Sequence, residues 1–465
     1  MFGASPFSWH SAVHYPAMPD AFDLADSLAK HGQSHLLEHA KTLDGDARAA
    51  FCARLAAIDW AELGHPSDLP VASSATKSRV LDQGERSRRT TELTVRGEAA
   101  YTAGAVAVLM VAGGQGTRLG TTAPKGCFSI APHSGKSIYQ LQAEKVLSLS
   151  RRVGRAVPFL VMTSPATDTE TKQFFAAHSD FGLAAGQARF FSQGTVPSIS
   201  IDGQALLAAP GKLLENPDGH GGCHTALVDS GYLKRLSTEG VRQIVFIQVD
   251  NILAPVDDPL LVGLAESENA DVVSKVLEKA HPDEKLGHLV KVDGRDRIVE
   301  YTELTPEQTR LRYPDGEIIY RWGSPAMHCW SVAFLDRLHQ RGYKLPLHRS
   351  KKPLKAWPTE TTGWKNERFI FDLVPEADAS FGIVIERGSE FAPVKNATGD
   401  DSTVTAVQIA STLYANWLRK AGVRVELPAS ARIEISPLFA ATEAQFLARW
   451  DKRVVSVTGD YYLEP

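Results

Sequence analysis

Cysteine is scarce in this chain: four in 465 residues, Cys52, Cys127, Cys223 and Cys329, with no CxxC pair among them. Such spacing offers neither a zinc site nor a disulfide framework. Long apolar runs are missing as well, and none approaches the roughly 20 residues that span a bilayer. The opening MFGASPFSWH has neither the basic nor the apolar region of a secretory signal. A reducing, cytosolic compartment is therefore expected. No charge of one sign dominates: 54 acidic against 50 basic residues give a net charge of −4. That balance supports neither a nucleic-acid nor a membrane-surface partner. Anionic ligands must then be held by locally placed cations. There is no internal repeat and no low-complexity tract.

What is present is an ordinary globular composition, 43% apolar and 22% charged. The length suits about two or three domains. The stretch that stands out is AVAVLMVAGGQGTRLGTTAPKGCFS, Ala105 to Ser129. Its first seven residues, Ala105 to Val111, are continuously apolar and predict a strand buried on both faces. Gly113, Gly114 and Gly116 then let the backbone turn tightly and approach a ligand without Cβ atoms in the way. Backbone N–H groups in such a turn can point at phosphate oxygens, and Arg118 and Lys125 add positive charge close by. The loop is neither of the two common phosphate loops. Ile130 stands where a Walker A motif ending in Gly135-Lys136-Ser137 needs its first Gly. Gly114, Gly116 and Gly120 are spaced one residue too long for the dinucleotide fingerprint.

Elsewhere, leucines and aromatics at helical spacing from Leu24 to Leu63 predict a helical N-terminal region, and residues 66–100 read as a Pro-, Ser- and charge-rich connector. Ser137-Ile138-Tyr139-Gln140 has the Ser-x-x-Gln pattern of a capping box, opening a helix to about Arg152. A strand at Val157–Met162 and a helix at Thr169–His178 follow, and this alternation predicts an α/β fold: a doubly wound, mostly parallel sheet. Gln243–Val249 reads as another buried strand, and Asp271–Lys279 and Gly287–Val292 as strands covering one side of the site. Ligands in such sheets sit beyond the carboxyl ends of strands. Asp250 occupies one such end and is suited to Mg²⁺, a hard cation that shares phosphates with carboxylates. In the turn Asp218-Gly219-His220-Gly221-Gly222, three glycines around one polar residue indicate close backbone approach. The basic loop at residues 344–358 reads as a solvated face or as a lid.

LMVAGGQGTRLG followed by PKG resembles the nucleotide-binding signature of the eukaryotic-type UDP-sugar pyrophosphorylases, of the UDP-N-acetylglucosamine and UDP-glucose kinds. The likeness runs from about Gly32 to about Leu438. It implies a GT-A-like nucleotidyltransferase domain at 101–395, after a helical region and connector at 1–100 and before a small β-rich domain at 396–465. It implies that UTP and a sugar 1-phosphate give a UDP-sugar and pyrophosphate, with Mg²⁺ as cofactor. Under the resemblance, Gly113 and Gly114 hold the nucleotide, Arg118 and Lys125 meet its phosphates, and Gln193 in FFSQG reads uracil. Asp250 holds the metal, with Asn251 and Glu300 near the sugar, and Lys395 holds the sugar phosphate. Gly219, His220, Gly221 and Ser324 line the sugar side. Here the chain departs from the acetamido-sugar enzymes: His220, Ser324 and Met327 stand where that pattern has Asn. N-acetylglucosamine 1-phosphate is the expected substrate, with glucose or galactose 1-phosphate as the alternative. A binding protein that kept the fold without catalysis would be expected to have lost Lys125 or Asp250.

Overall fold

The computed structural model describes residues 21–64, 75–284, 286–451 and 454–465. The chain divides into two compact units. The first joins three separated stretches, Met1–Ser67, Val196–Asn216 and Leu347–Asn366; the second holds the remainder.

In the first unit, helices α1 (Ala21–Lys30), α2 (Ser34–Lys41), α3 (Gly45–Ala56) and α4 (Trp60–Gly64) follow one another closely. Asp44 caps α3 by accepting from Ala47 N. The leucines expected to face a core do so: Leu28, Leu36, Phe51 and Leu55 are buried together with Ile199, Leu213 and Leu347. Polar ties reinforce this packing, since Gln33 donates to Gly203 O and accepts from Ala205 N. The basic stretch expected as a loop or lid contains a strand. His348–Leu354 lies beside Thr361–Glu367, which pairs antiparallel with Ile199–Ser200. Gly363 makes that approach possible, because a Cβ there would stand 2.4 Å from Ile199 O.

The second unit is built on an eleven-stranded sheet. In chain order its strands are β1 (Val80–Leu81), β2 (Val106–Val111), β3 (Phe159–Thr163), β4 (Ala188–Ser192), β5 (Gln243–Gln248) and β6 (Val272–Glu278). They continue with β7 (Gly287–Val292), β8 (Arg295–Val299), β9 (Trp322–Ser324), β10 (His328–Ser331) and β11 (Ser380–Val384). The order across the sheet is β8-β7-β9-β6-β10-β5-β2-β3-β4, with β11 joining β6 to β1. Successive residues of β2 enter different cores. Val106, Val108 and Met110 pack on one side, Ala107 and Leu109 on the other. The sheet is thus covered on both faces, as the apolar run required.

The sheet is mixed rather than mostly parallel. Strands β5, β2, β3 and β4 run parallel, but β10 is antiparallel to both β5 and β6, and β7, β8 and β9 also pair antiparallel. Connection length accounts for part of this. β7 and β8 are joined by Asp293-Gly294, both at positive φ, the turn that closes a hairpin; a parallel crossover needs about a dozen residues or more.

The expected connector also needs correcting. Residues 65–74 lie outside the described residues, but Gln83–Ala103 is a 21-residue helix, α5, capped by Asp82. It packs on Pro259–Ser267 (a helix capped by Asp258), with Gly97 against Pro259 and Gly263 against Leu93. The helix opened by Ser137 runs Ile138–Val153, and Ser137 accepts from Gln140 N as expected; Gln140 sends its amide to Glu144 instead of completing the box. The C-terminal stretch, expected to be β-rich, is dominated by an 18-residue helix, Thr403–Lys420. Two parallel pairs of short strands accompany it, around a core of Trp417, Leu418, Phe439 and Phe446. No helix among the described residues is long and apolar enough to cross a membrane.

Candidate active site

The phosphate-loop candidate leaves the carboxyl end of β2 and is folded by its own main chain. Lys125 N donates to Gly114 O, and Gly116 N donates to Ala123 O. Gly114 and Gln115 are exposed at the tip. Among the described residues, the N–H groups of Gly113, Gly114 and Gln115 find no acceptor in the protein. Arg118, on the short 3-10 turn Thr117–Leu119, is exposed and carries no ion pair among those residues. The loop therefore offers unused donors and an unpaired cation within six residues of one another, which suits phosphate.

Beside it lies a charged pair. Lys125 Nζ stands 3.2 Å from Asp250 Oδ2, and the two side chains are 19% and 13% exposed. Asp250 follows β5, the parallel neighbour of β2, and the bond from Lys125 N to Gly114 O folds Lys125 back to the same end of the sheet. The main chain of Asp250 accepts from Val394 N, which draws the segment carrying Lys395 alongside. Lys395 Nζ is 3.3 Å from Asp401 and lies over the Phe391 ring. Asn251, expected near the sugar, is 2% exposed, and its amide is engaged inside the protein. It donates to Glu390 O and accepts from Ala392 N and Leu253 N. Its neighbour Met327, read as facing the sugar, is itself buried, with Sδ 3.6 Å from Asn251 Nδ2.

Gln193 follows β4 and is pinned by its own N–H, which donates to Thr163 O. Its side chain lies over Gly113, where a Cβ would stand 2.5 Å from Oε1. Its Nε2 donates to Asp218 Oδ1 and to Gly219 O, each at 3.3 Å. Asp218 is a site residue that the sequence reading passed over. It is buried in a cradle of glycines: a Cβ at Gly222 would come within 2.0 Å of Oδ1, and one at Gly194 within 3.1 Å of Oδ2. Burial pushes its carboxyl up to about 6, against the opposing pull of Arg368. The signal was present as an acid inside a glycine turn, but its partner lies 25 residues away in sequence.

Two of the glycines in that turn approach the protein itself. A Cβ at Gly219 would meet Arg368 O at 2.4 Å, and one at Gly221 would meet Phe369 N at 2.6 Å. His220 stacks on Phe369 with ring centroids 5.4 Å apart, and its Nδ1 accepts from Ile370 N. On the other side of the sheet's midpoint, Gly287 pairs with Ser324 across β7 and β9, and Glu300 reaches Gly287. Ser324 Oγ accepts from Ala326 N.

A glycine loop with free N–H groups, next to a Lys–Asp pair beyond the ends of parallel strands, suits an α/β enzyme of the nucleotidyltransferase class. The family described as UTP–glucose-1-phosphate uridylyltransferase matches residues 73–420, well over half of the sequence. The chain belongs to that family. It is 34% identical over 442 residues to UDP-N-acetylglucosamine diphosphorylase 2 of Arabidopsis thaliana, covering 90% of this chain and 86% of that protein. It is equally 34% identical over 442 residues to human UDP-N-acetylhexosamine pyrophosphorylase-like protein 1, covering 86% of each. Among solved structures it resembles the uridine diphosphate N-acetylglucosamine pyrophosphorylase of Trypanosoma brucei, solved with an inhibitor. That match has a TM-score of 0.79 at 25% identity, over 97% of this chain and 99% of the other.

Proposed function

We propose that this enzyme transfers a uridylyl group from UTP to N-acetylglucosamine 1-phosphate, releasing pyrophosphate. A phosphate oxygen of the sugar attacks the α-phosphorus, a new P–O bond forms in line, and the bond to the β-phosphate oxygen breaks. Little covalent chemistry is asked of the protein, so positioning and charge neutralisation carry the rate. The observation that carries this reading is the Lys125–Asp250 pair beside the unused N–H groups of Gly113 to Gln115. In our assignment Lys125 neutralises charge gathering at the α-phosphate, Arg118 holds the departing pyrophosphate, and Lys395 holds the sugar phosphate. Glu300 and Ser324 are assigned to the sugar side, as is the turn Gly219 to Gly221.

Among the described residues there is no cluster of three or more His, Cys, Asp or Glu side chains that could cage a metal. One carboxylate fits Mg²⁺ nonetheless, since that ion is commonly shared between one or two carboxylates and substrate phosphates. Asp250 would hold it, and when bound it would add positive charge against the phosphates. The four cysteines are free thiols, which suits the reducing cytosol we assign to the protein.

A second reading concerns breadth. His220 spends Nδ1 on Ile370 N, and Ser324 is shorter than Asn, so the sugar side offers fewer amide contacts to an acetamido group. Turnover of glucose or galactose 1-phosphate within about 100-fold of the best substrate follows from the worth of one such contact. A panel of sugar 1-phosphates with UTP and Mg²⁺, followed by pyrophosphate release, tests both. Absence of release with every sugar would overturn the transferase reading. Strict use of N-acetylglucosamine 1-phosphate would overturn only the second.

A further inference from the structure

We infer that Asp218 fixes which end of the Gln193 amide meets the nucleobase, and so selects uracil over cytosine; the inference rests on the uridine reading above. Gln193 Nε2 has two acceptors at 3.3 Å, Asp218 Oδ1 and the Gly219 carbonyl. The reversed amide would set its oxygen against a carboxylate and a carbonyl with no proton between them. Only one orientation satisfies all three groups.

That orientation leaves Oε1 over Gly113, and among the described residues no protein group donates to it. The carboxylate that enforces this is itself held. Gly194 and Gly222 leave the space it occupies, and Arg368 Nη1 lies 4.0 Å from Oδ2. The arrangement is thus a buried carboxylate, an amide and a presented carbonyl oxygen, in series.

Uracil carries an N–H at ring position 3 and a carbonyl at position 4. Cytosine carries a bare nitrogen at position 3 and an amino group at position 4. A carbonyl fixed at Gln193 accepts from the uracil N3–H but meets the cytosine N3 lone pair with its own. A site committed to one hydrogen-bond pattern rejects the other strongly, because a mismatch leaves buried polar groups unpaired. Asp218 touches neither base nor phosphate in this account. It is a positioning residue, acting through Gln193.

The test is steady-state kinetics with UTP and with CTP, at saturating sugar 1-phosphate, on the parent and on Asp218→Asn and Asp218→Ala. Each variant is checked first by thermal melting, and the alanine variant carries the same readout should the asparagine one fail to fold. Asn can donate to Oε1 and let the amide turn over; the Gly219 carbonyl still favours the original orientation, so the loss is partial. The UTP-over-CTP preference in kcat/KM is expected to fall roughly tenfold, in line with loss of a charge-assisted hydrogen bond. A folded variant whose preference is unchanged, whether both nucleotides slow equally or neither does, overturns the inference and leaves Asp218 a structural residue. A parent enzyme that uses CTP as readily as UTP overturns the uridine reading itself, and the inference with it.

Discussion

Lys125 and Asp250 face one another, each partly shielded and each supplying the other's counter-charge. In our assignment the binding of phosphates asks both to change partner, which puts their worth in the transition state more than in the fold. Lys125→Ala and Asp250→Ala are each expected to lower kcat on the order of 10²-fold or more. Their melting temperatures should stay close to that of the parent, since an ion pair that water still reaches contributes about 1 kcal/mol or less. Variants that melt normally and turn over normally would show the pair to be structural. Asp218 makes the opposite trade. Its folded carboxyl titrates at about 6, above the 3.8 of an unperturbed Asp, because burial disfavours the charged form. Between those values the folded chain binds more protons than the unfolded one, so stability falls as pH rises through that window. A rise of that size costs about 3 kcal/mol at most. Asp218→Asn escapes this penalty: in urea melts its stability relative to the parent should be higher at pH 8 than at pH 4.5. An equal difference at the two pH values would contradict the assignment.

Among the elements, several short strands rich in apolar residues were legible from sequence. β2, β5 and β7 fall where Ala105–Val111, Gln243–Val249 and Gly287–Val292 predicted them, and Ser137 caps its helix as read. The antiparallel placing of β10 between β5 and β6 was not legible, because hydrophobic pattern carries no strand direction. α5 was missed for a different reason. Its buried positions are few, Leu93, Gly97, Ala100 and Tyr101, and its remaining surface is largely polar and charged. The site shows the same division: Gly113, Lys125 and Asp250 stand out as strand ends and loop residues, whereas the Gln193–Asp218 contact exists only once the chain is folded. Glycine at the α5 crossing is what the helix pair depends on. A Cβ at Gly263 would lie 1.8 Å from Leu93 O, a main-chain atom that cannot rotate aside. Gly263→Ala is expected to destabilise by about 1–3 kcal/mol, as overpacking does, while kcat of the folded fraction stays near the parent's. Denaturant melts paired with active-site titration would separate the two. An unchanged melt would mean the helices separate without cost.

For the molecule as a whole, the important fact is that the first unit is not a segment of sequence. The core around Leu28, Leu36 and Phe51 takes Ile199, Ala205 and Leu213 from one distant stretch and Leu347 from another. A chain lacking residues 1–67 would leave those partners uncovered, so it is expected to aggregate or lose its cooperative melt rather than shed a neat appendage. Light scattering and calorimetry on the shortened chain check this, and a monodisperse protein melting like the parent would refute it. The same discontinuity has a meaning in time. During synthesis the helices through Gly64 leave the ribosome 283 residues ahead of Leu347 (347 − 64 = 283), whose stretch completes their core. At roughly 5–20 residues per second, that is a wait of about 15–60 s with apolar surface uncovered. The nascent chain therefore passes through a long vulnerable interval, and its yield in the cell depends on how fast it is translated and on what shelters it meanwhile.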